Sequence, residues 1–365
     1  MVAISGVAFA AILILMQIGF QHALFASGVR LHRRLTADLF LINPQSSHLN
    51  AMKVFSRRRL YQALGHDGVR SVAPLYLALG WWKNPDSRVT RGILVTGFDP
   101  SNRVFDLADV DANRRRIQFP DIVLFDDASR PEYGPIAARF HQRQRVTAEV
   151  SNRRITVGGL FTIGPSFGID GNLITSDLNF LRLFPHRKPG LIDVGMILLE
   201  PGADATTVAT NLRARLPADV RLLSKEEYLE REQAYWRHNT PIGYVFAFGV
   251  IMGLVVGTVI VYQTLFANVS DHIAEYATLK AMGYTNRHLF GVVLQQAVLL
   301  ALLGYGPGLA ISWQLYGMTE AATGLPMQLT AETSLRVLTL TIAMCCTSGA
   351  ITLRKIRAAD PAEIF

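Results

Sequence analysis

Residues 242–313 read IGYVFAFGVIMGLVVGTVIVYQTLFA, then NVSDHIAEYATLKAMGYTNRH, then LFGVVLQQAVLLALLGYGPGLAISW. The first block (242–267) and the third (289–313) hold no charged residue. About 20 apolar residues at 1.5 Å rise cross a hydrocarbon core of about 30 Å, so either block is long enough to span a bilayer. The middle block (268–288) is far too polar to lie in lipid. The pattern predicts a helical hairpin in a membrane with a small amphipathic knuckle at its tip.

Working outward, residues 2–25 and 337–353 are two further apolar runs. The expected fold class is an α-helical membrane protein. Its four transmembrane helices are arranged 1+3, at residues 1–25, 241–267, 289–313 and 337–353. Residues 26–240 lie between the first span and the rest, enough for a folded domain with its own core. The knuckle is 268–288, a short loop 314–336 joins the last two spans, and 354–365 form a tail. The first run lacks a basic start and a clean small-x-small cleavage pattern, so it reads as an anchor and not as a removed leader.

Short-loop charges set the orientation. The knuckle carries Lys280 and Arg287, and the tail carries Arg354, Lys355 and Arg357. The loop 314–336 holds Glu320 and Glu332 against Arg336. The knuckle and tail are therefore expected in the cytoplasm and the large domain outside. The net charge of +8 comes wholly from residues 1–240, because residues 241–365 carry six basic and six acidic side chains. The basic residues of the domain are interleaved with acids, as on a mixed solvated surface. Arg57-Arg58-Arg59 and Arg114-Arg115-Arg116 are its only dense patches, and no nucleic-acid partner is expected. The two cysteines, Cys345 and Cys346, are neighbours in the fourth span and read as packing residues.

The domain reads as mixed α/β. Strands are expected at 37–42, 69–83, 92–98 and 191–199, with a hairpin over 147–161 that turns at Ser151-Asn152. Helical spacing at Val208, Leu212 and Leu216 follows an N-cap at Asp204. Ser224 with Glu227 begins a capping box for a charged helix running to about His238, which leads into the second span as a stalk.

Three motifs invite a functional reading. Gly249, Gly253 and Gly257 share one helix face, which permits close helix packing, within the chain or across a dimer; glycine is also simply common in membrane helices. Gly306, Pro307 and Gly308, after Gly304-Tyr305, suggest a kink or break in the third span. In the knuckle, Ser270 or Asp271 can cap a helix carrying Ile273, Glu275, Tyr276, Ala277 and Lys280, with Met282 at its end and Gly283 closing it. Such a helix suits lipid headgroups or a groove in a soluble partner, and periodicity does not choose between them. Enzyme signatures are missing: the sequence has no G-x-x-x-x-G-K-[ST] and no H-E-x-x-H, and GPSFG (164–168) matches the letters G-x-S-x-G without reading as a nucleophile elbow. No catalytic residue and no metal site is expected, and Asp126-Asp127 reads as a surface turn.

The knuckle segment DHIAEYATLKAMGY (271–284) resembles the cytoplasmic coupling segment of FtsX/MacB-type ABC permeases, as does the ending RAADPAEIF (357–365). FSRRRLYQAL (55–64), ASRPEYG (128–134) and SDLNFLRLF (176–184) are similar to the DevC permeases of that family. The resemblance implies a non-catalytic, homodimeric permease subunit in an inner membrane with its large domain in the periplasm. It also implies a separate DevA-like ATPase that binds ATP and Mg, a DevB-like membrane-fusion protein and a TolC-like outer-membrane channel. The knuckle would sit in a groove of the ATPase. Export, of glycolipid in DevC-like systems, would proceed by mechanotransmission, with no cofactor in this chain. Members of the family usually carry an amphipathic stretch ahead of the first span, and this sequence begins inside it. An FtsX-like regulator of an envelope hydrolase and a stand-alone receptor are the rival classes.

Overall fold

The structure is a computed structural model that describes residues 2–358; the side chains of residues 2, 276, 277, 280, 281, 286 and 353–358 lie outside that description. The basic side chains of the tail and the closing motif expected at 357–365 therefore fall outside it. The chain forms two compact units, Met1–Ala23 with Thr240–Phe365, and Leu24–Asn239.

The chain opens with α1 (Val2–Gly28) and α2 (Arg30–Arg33), followed by β1 (Leu39–Ile42), β2 (Phe55–Ser56), α3 (Arg58–Leu64), β3 (Val69–Lys83) and β4 (Thr90–Phe98). Next come α4 (Ala108–Asn113), β5 (Ile122–Asp126), α5 (Ile136–His141), β6 (Thr147–Val150), β7 (Arg153–Phe161), β8 (Asn172–Ser176) and α6 (Asp177–Leu183). The domain ends with β9 (Leu191–Ile192), β10 (Val194–Leu199), α7 (Ala205–Arg215), β11 (Arg221–Ser224) and α8 (Lys225–His238). Four helices complete the chain: α9 (Pro241–Asp271), α10 (Ile273–Ala281), α11 (Asn286–Thr323) and α12 (Ala331–Ala358).

The inserted domain is built on β3, whose 15 residues serve two partners. Its first half pairs with β10 and, through it, with β1 and β11. Its second half pairs with β4, and the ladder then runs β8, β5, β7, β6 and returns to β3 at Trp82 and Val150. Six strands thus close into a ring and three form a flange. Closure removes the exposed strand edges that an open sheet would present. Trp82, Ile93, Val95, Phe125, Val157 and Leu173 fill the ring side, and each such burial contributes roughly 1.5–3 kcal/mol. The opposite face packs Phe40, Leu77, Leu94, Phe98 and Ile174 against Leu31, Leu35 and Tyr228 of the helical segments.

Local signals explain the joints. The hairpin turns on Ser151 (φ 49) and Asn152 (φ 65), both in the left-handed region that a two-residue hairpin turn demands. Asp204 accepts hydrogen bonds from the Thr206 and Thr207 amides and starts α7. Ser224 and Glu227 make a full capping box for α8. Asp126 departs from the expected surface turn: it is fully buried and accepts from the amides of Ala128, Ile163 and Gly164 and from Asn172 Nδ2. A strand-end carboxylate with four donors is a structural tie, and only Asp127 faces solvent.

Among the described residues, four helices are long and apolar enough to cross a membrane: Ala3–Gly28, Pro241–Asp271, Arg287–Thr323 and Ala331–Thr352. Polar side chains tie them together where lipid offers no partner. Tyr316 donates to the Leu15 carbonyl (2.5 Å), Tyr305 to the Ser334 carbonyl (2.7 Å), and Ser348 to the Thr258 carbonyl (2.9 Å). Of the kink or break suggested at Gly306, Pro307 and Gly308, the break does not occur, because α11 runs unbroken through Pro307. The flanking glycines serve contact instead. A Cβ on Gly304 would lie 2.5 Å from Val7 Cβ, and one on Gly308 3.0 Å from the Ala8 carbonyl. A Cβ on Gly306 would meet nothing within 4 Å.

Candidate coupling segment

The knuckle is built from the ends of two long helices and a short one. α9 outlasts its apolar run and continues through Asn268–Asp271. It stops at His272, whose Nδ1 lies 2.9 Å from the Asn268 carbonyl. The Glu275 amide bonds the His272 carbonyl at 3.1 Å, and α10 follows directly. α10 closes through the Met282 amide on the Thr278 carbonyl (3.0 Å) and the Tyr284 amide on the Leu279 carbonyl (3.1 Å). Gly283 takes φ 94, and a Cβ there would meet nothing within 4 Å. Its need is conformational, since only glycine adopts that backbone without strain. Thr285 then leads into α11, and the Tyr284 and His288 rings meet at a tilt, 4.9 Å apart.

Ile273 and Leu279 are half-buried, while Glu275 is exposed. Met282 is 63% exposed and Tyr284 45%. Large apolar side chains offered to water from a polar segment are a docking signature, and methionine suits an adaptable contact. The side chains of Tyr276, Ala277 and Lys280 lie outside the described residues. Asn268, His272, Glu275 and Leu279 line a groove of about 240 Å³ with Val292 and Gln296 of α11. Gln296 Oε1 is buried and has no hydrogen-bond partner among the described residues. Sequence reasoning singled out Glu275 but not the groove. The signal was present in the Gln295-Gln296 pair within an apolar span.

The glycine stripe lies elsewhere. A Cβ on Gly249 would come within 2.5 Å of the Gln17 side chain, one on Gly253 within 3.0 Å of Ile14, and one on Gly257 within 2.7 Å of Ala10 Cβ. All three face α1 within one protomer. Phe248, Ile251, Met252, Val255 and Val259 of α9 are exposed. Among the described residues no group of three His, Cys, Asp or Glu side chains is placed to hold a metal.

Residues 247–361 match the family described as FtsX-like permease C-terminal. An uncharacterized ABC transporter permease protein of Mycobacterium tuberculosis is 26% identical over 157 residues, covering 42% of this chain and 17% of that protein. The chain thus spans only a small part of the length of that relative. The periplasmic region of MacB from Actinobacillus actinomycetemcomitans aligns over 55% of this chain and 94% of its own, with 11% identity and a TM-score of 0.36. The extracellular domain of the noncanonic ABC-type transporter YknZ from Gram-positive bacteria aligns over 52% of this chain and 99% of its own, at 11% identity and a TM-score of 0.34.

Proposed function

We propose that the chain, whose residues 247–361 match the FtsX-like permease C-terminal family and whose four long apolar helices could cross a membrane, is the membrane subunit of an ABC exporter driven by a separate ATPase. One observation carries the reading. The polar segment between α9 and α11 offers Glu275, Met282 and Tyr284 to solvent around the left-handed turn at Gly283. A subunit without a phosphate-binding loop must receive its work from a partner, and this segment is the surface that would receive it. Ile273, Glu275, Tyr276, Ala277, Lys280, Met282 and Gly283 form the proposed contact. ATP and Mg belong to the partner, a DevA-like ATPase.

The proposal extends to a homodimer in the plasma membrane, with the domain between α1 and α9 facing outward. There it would meet a DevB-like membrane-fusion protein and, through it, a TolC-like channel. Motion would pass along α8 and α9, so cargo, glycolipid or other, would not need a polar path between the spans. The test is a pull-down of the detergent-solubilised protein from its native membrane, beside the double variant Glu275→Arg/Lys280→Glu. An ATPase subunit that accompanies the wild type and is lost from the variant supports coupling. A periplasmic adaptor in the same eluate supports export, and a cell-wall hydrolase in its place supports the regulator. Absence of an ATPase from both samples removes the proposal and leaves the receptor class.

A further inference from the structure

We infer that His32 and Glu232 form a clasp that holds one proton between them and fastens the segment after α1 to the helix before α9. When the clasp parts, the proton passes from the Glu232 carboxyl to the His32 imidazole, so opening neither takes up nor releases one. The O–H bond of the acid breaks and an N–H bond forms, leaving a carboxylate and an imidazolium that water can solvate.

The geometry isolates the pair. His32 Nε2 lies 3.8 Å from Glu232 Oε2, and the two side chains are 1% and 4% exposed. Glu232 accepts from the Leu49 amide (2.9 Å) and from Trp236 Nε1 (3.0 Å). Among the described residues neither ring nitrogen of His32 has a hydrogen-bond partner, nor does the buried Tyr228 hydroxyl. The Tyr228 ring packs edge-on against His32 at 4.5 Å. The charged groups on the surrounding elements are engaged elsewhere. Arg231 donates to the Ser46 carbonyl, Arg30 to the Pro165 carbonyl, and Lys225 to the Leu35 carbonyl. His48 stacks on Tyr235, and Asp193 is held by Arg187. Of these groups Arg231 still acts on Glu232 and favours its carboxylate, but burial outweighs that pull.

Burial then counts the protons. With none, the site buries a lone carboxylate; with two, a lone imidazolium; only one proton leaves it neutral. Burial pushes Glu232 up to about 7 and His32 down to about 4, so the carboxyl is the group that keeps it. In water the ordinary values of 4.5 and 6.5 reverse the order, and the imidazole holds it. Closed and open clasps therefore carry one proton each between pH 4.5 and 6.5. Glu232 alone would lose stabilisation as pH rises from 4.5 to 7, and His32 alone would lose it as pH falls from 6.5 to 4. Together the two slopes cancel.

The test uses the full chain in lipid nanodiscs, with no ATPase or adaptor present, so its outcome is independent of the coupling proposal. Amide hydrogen exchange along α8 is followed from pH 4.5 to 7 and corrected for the intrinsic rate. The wild-type opening constant should be flat to pH 6.5. In Glu232→Gln it should rise up to about tenfold per pH unit as pH falls below 6.5, and in His32→Gln by the same factor as pH rises. The double variant should be flat again. Single variants that share the wild-type profile, or slope in the same direction, overturn the inference. An infrared carbonyl band of a protonated buried acid at pH 6, lost in Glu232→Gln, supports it. An imidazolium signal from His32 in the folded protein at that pH overturns it, whether or not the variants fold.

Discussion

Gly257→Ala separates a packing seam inside the protomer from a seam between two copies. The new Cβ would lie 2.2 Å from Met344 Sδ and 2.7 Å from Ala10 Cβ. The methionine sulfur can swing aside; the alanine carbon moves only with its backbone. Contact with Ala10 falls about 0.7 Å short of the 3.4 Å at which ordinary van der Waals contact begins, so α9 must move from α1 by that amount. Overpacking of this kind costs about 1–3 kcal/mol, and the better helix propensity of alanine returns up to about 1 kcal/mol. A net loss of about 1–2 kcal/mol lowers the folding equilibrium constant roughly 5- to 30-fold. Gly317→Ala is the control, because a Cβ there meets nothing within 4 Å; it should be neutral or slightly stabilising. Unfolding of the purified full chain in mixed micelles by SDS, followed by tryptophan fluorescence, reads the loss. Photobleaching of labelled chains in nanodiscs reads the dimer fraction. If Gly257→Ala unfolds at the wild-type midpoint while the dimer fraction falls, the stripe contacts a second copy and the reasoning fails. Equal destabilisation by Gly317→Ala refutes it as well.

Ser224→Ala removes the acceptor of the Glu227 amide (3.1 Å) and opens the capping box. It should cost about 1 kcal/mol, visible as faster amide exchange in the first turn of α8 without change at the ring strands. Asp193→Ala strips a 2%-exposed carboxylate from Arg187 (2.5 Å) and from the Leu77 amide (2.8 Å). Breaking one side of such a pair should cost about 3–5 kcal/mol. Denaturant unfolding of this variant beside Arg187→Met/Asp193→Leu checks the cause, since the double variant should regain most of the loss.

Much of this architecture can be read from runs of residue types. Uncharged stretches mark α9, α11 and α12, although the helices outrun them, because helix geometry continues wherever the backbone can bond to itself. β3 follows a long apolar run between Gly68 and the Asn84-Pro85 turn, and the Ser151-Asn152 pair fixes the β6–β7 hairpin. Asp204 and Ser224 declare the helices they cap. What resists reading depends on distant partners. β5 and β8 are five-residue strands whose pairing is set by the ring and not by their own pattern. The return of β6 to β3 rests on Trp82 meeting Val150, 68 positions away. Glu232 sits in KEEYLEREQAYWRH, which looks like a solvated charged face; it is buried because Tyr228, Trp236 and the Leu49 amide close around it. The glycine stripe and the Gly304–Gly308 run announce small residues without saying which helix approaches them. The proposed coupling segment stands out by its residue types, while the groove behind it needs α11 placed alongside.

The flange has a consequence for how the domain is made. β1, the earliest strand, is flanked by β10 and β11, with Leu39 opposite both Ile197 and Ser224. Four consecutive buried apolar residues, Leu39–Ile42, thus wait for partners that emerge more than 150 residues later. Pairing across such separations is slow, and an uncovered apolar strand is exposed to aggregation meanwhile. A chain delivered through a membrane pore as an extended thread cannot complete this sheet until almost the whole insert has crossed. With the insert outside the membrane, as proposed, its passage and its folding would be consecutive, and Leu39–Ile42 would be the strand left longest without partners.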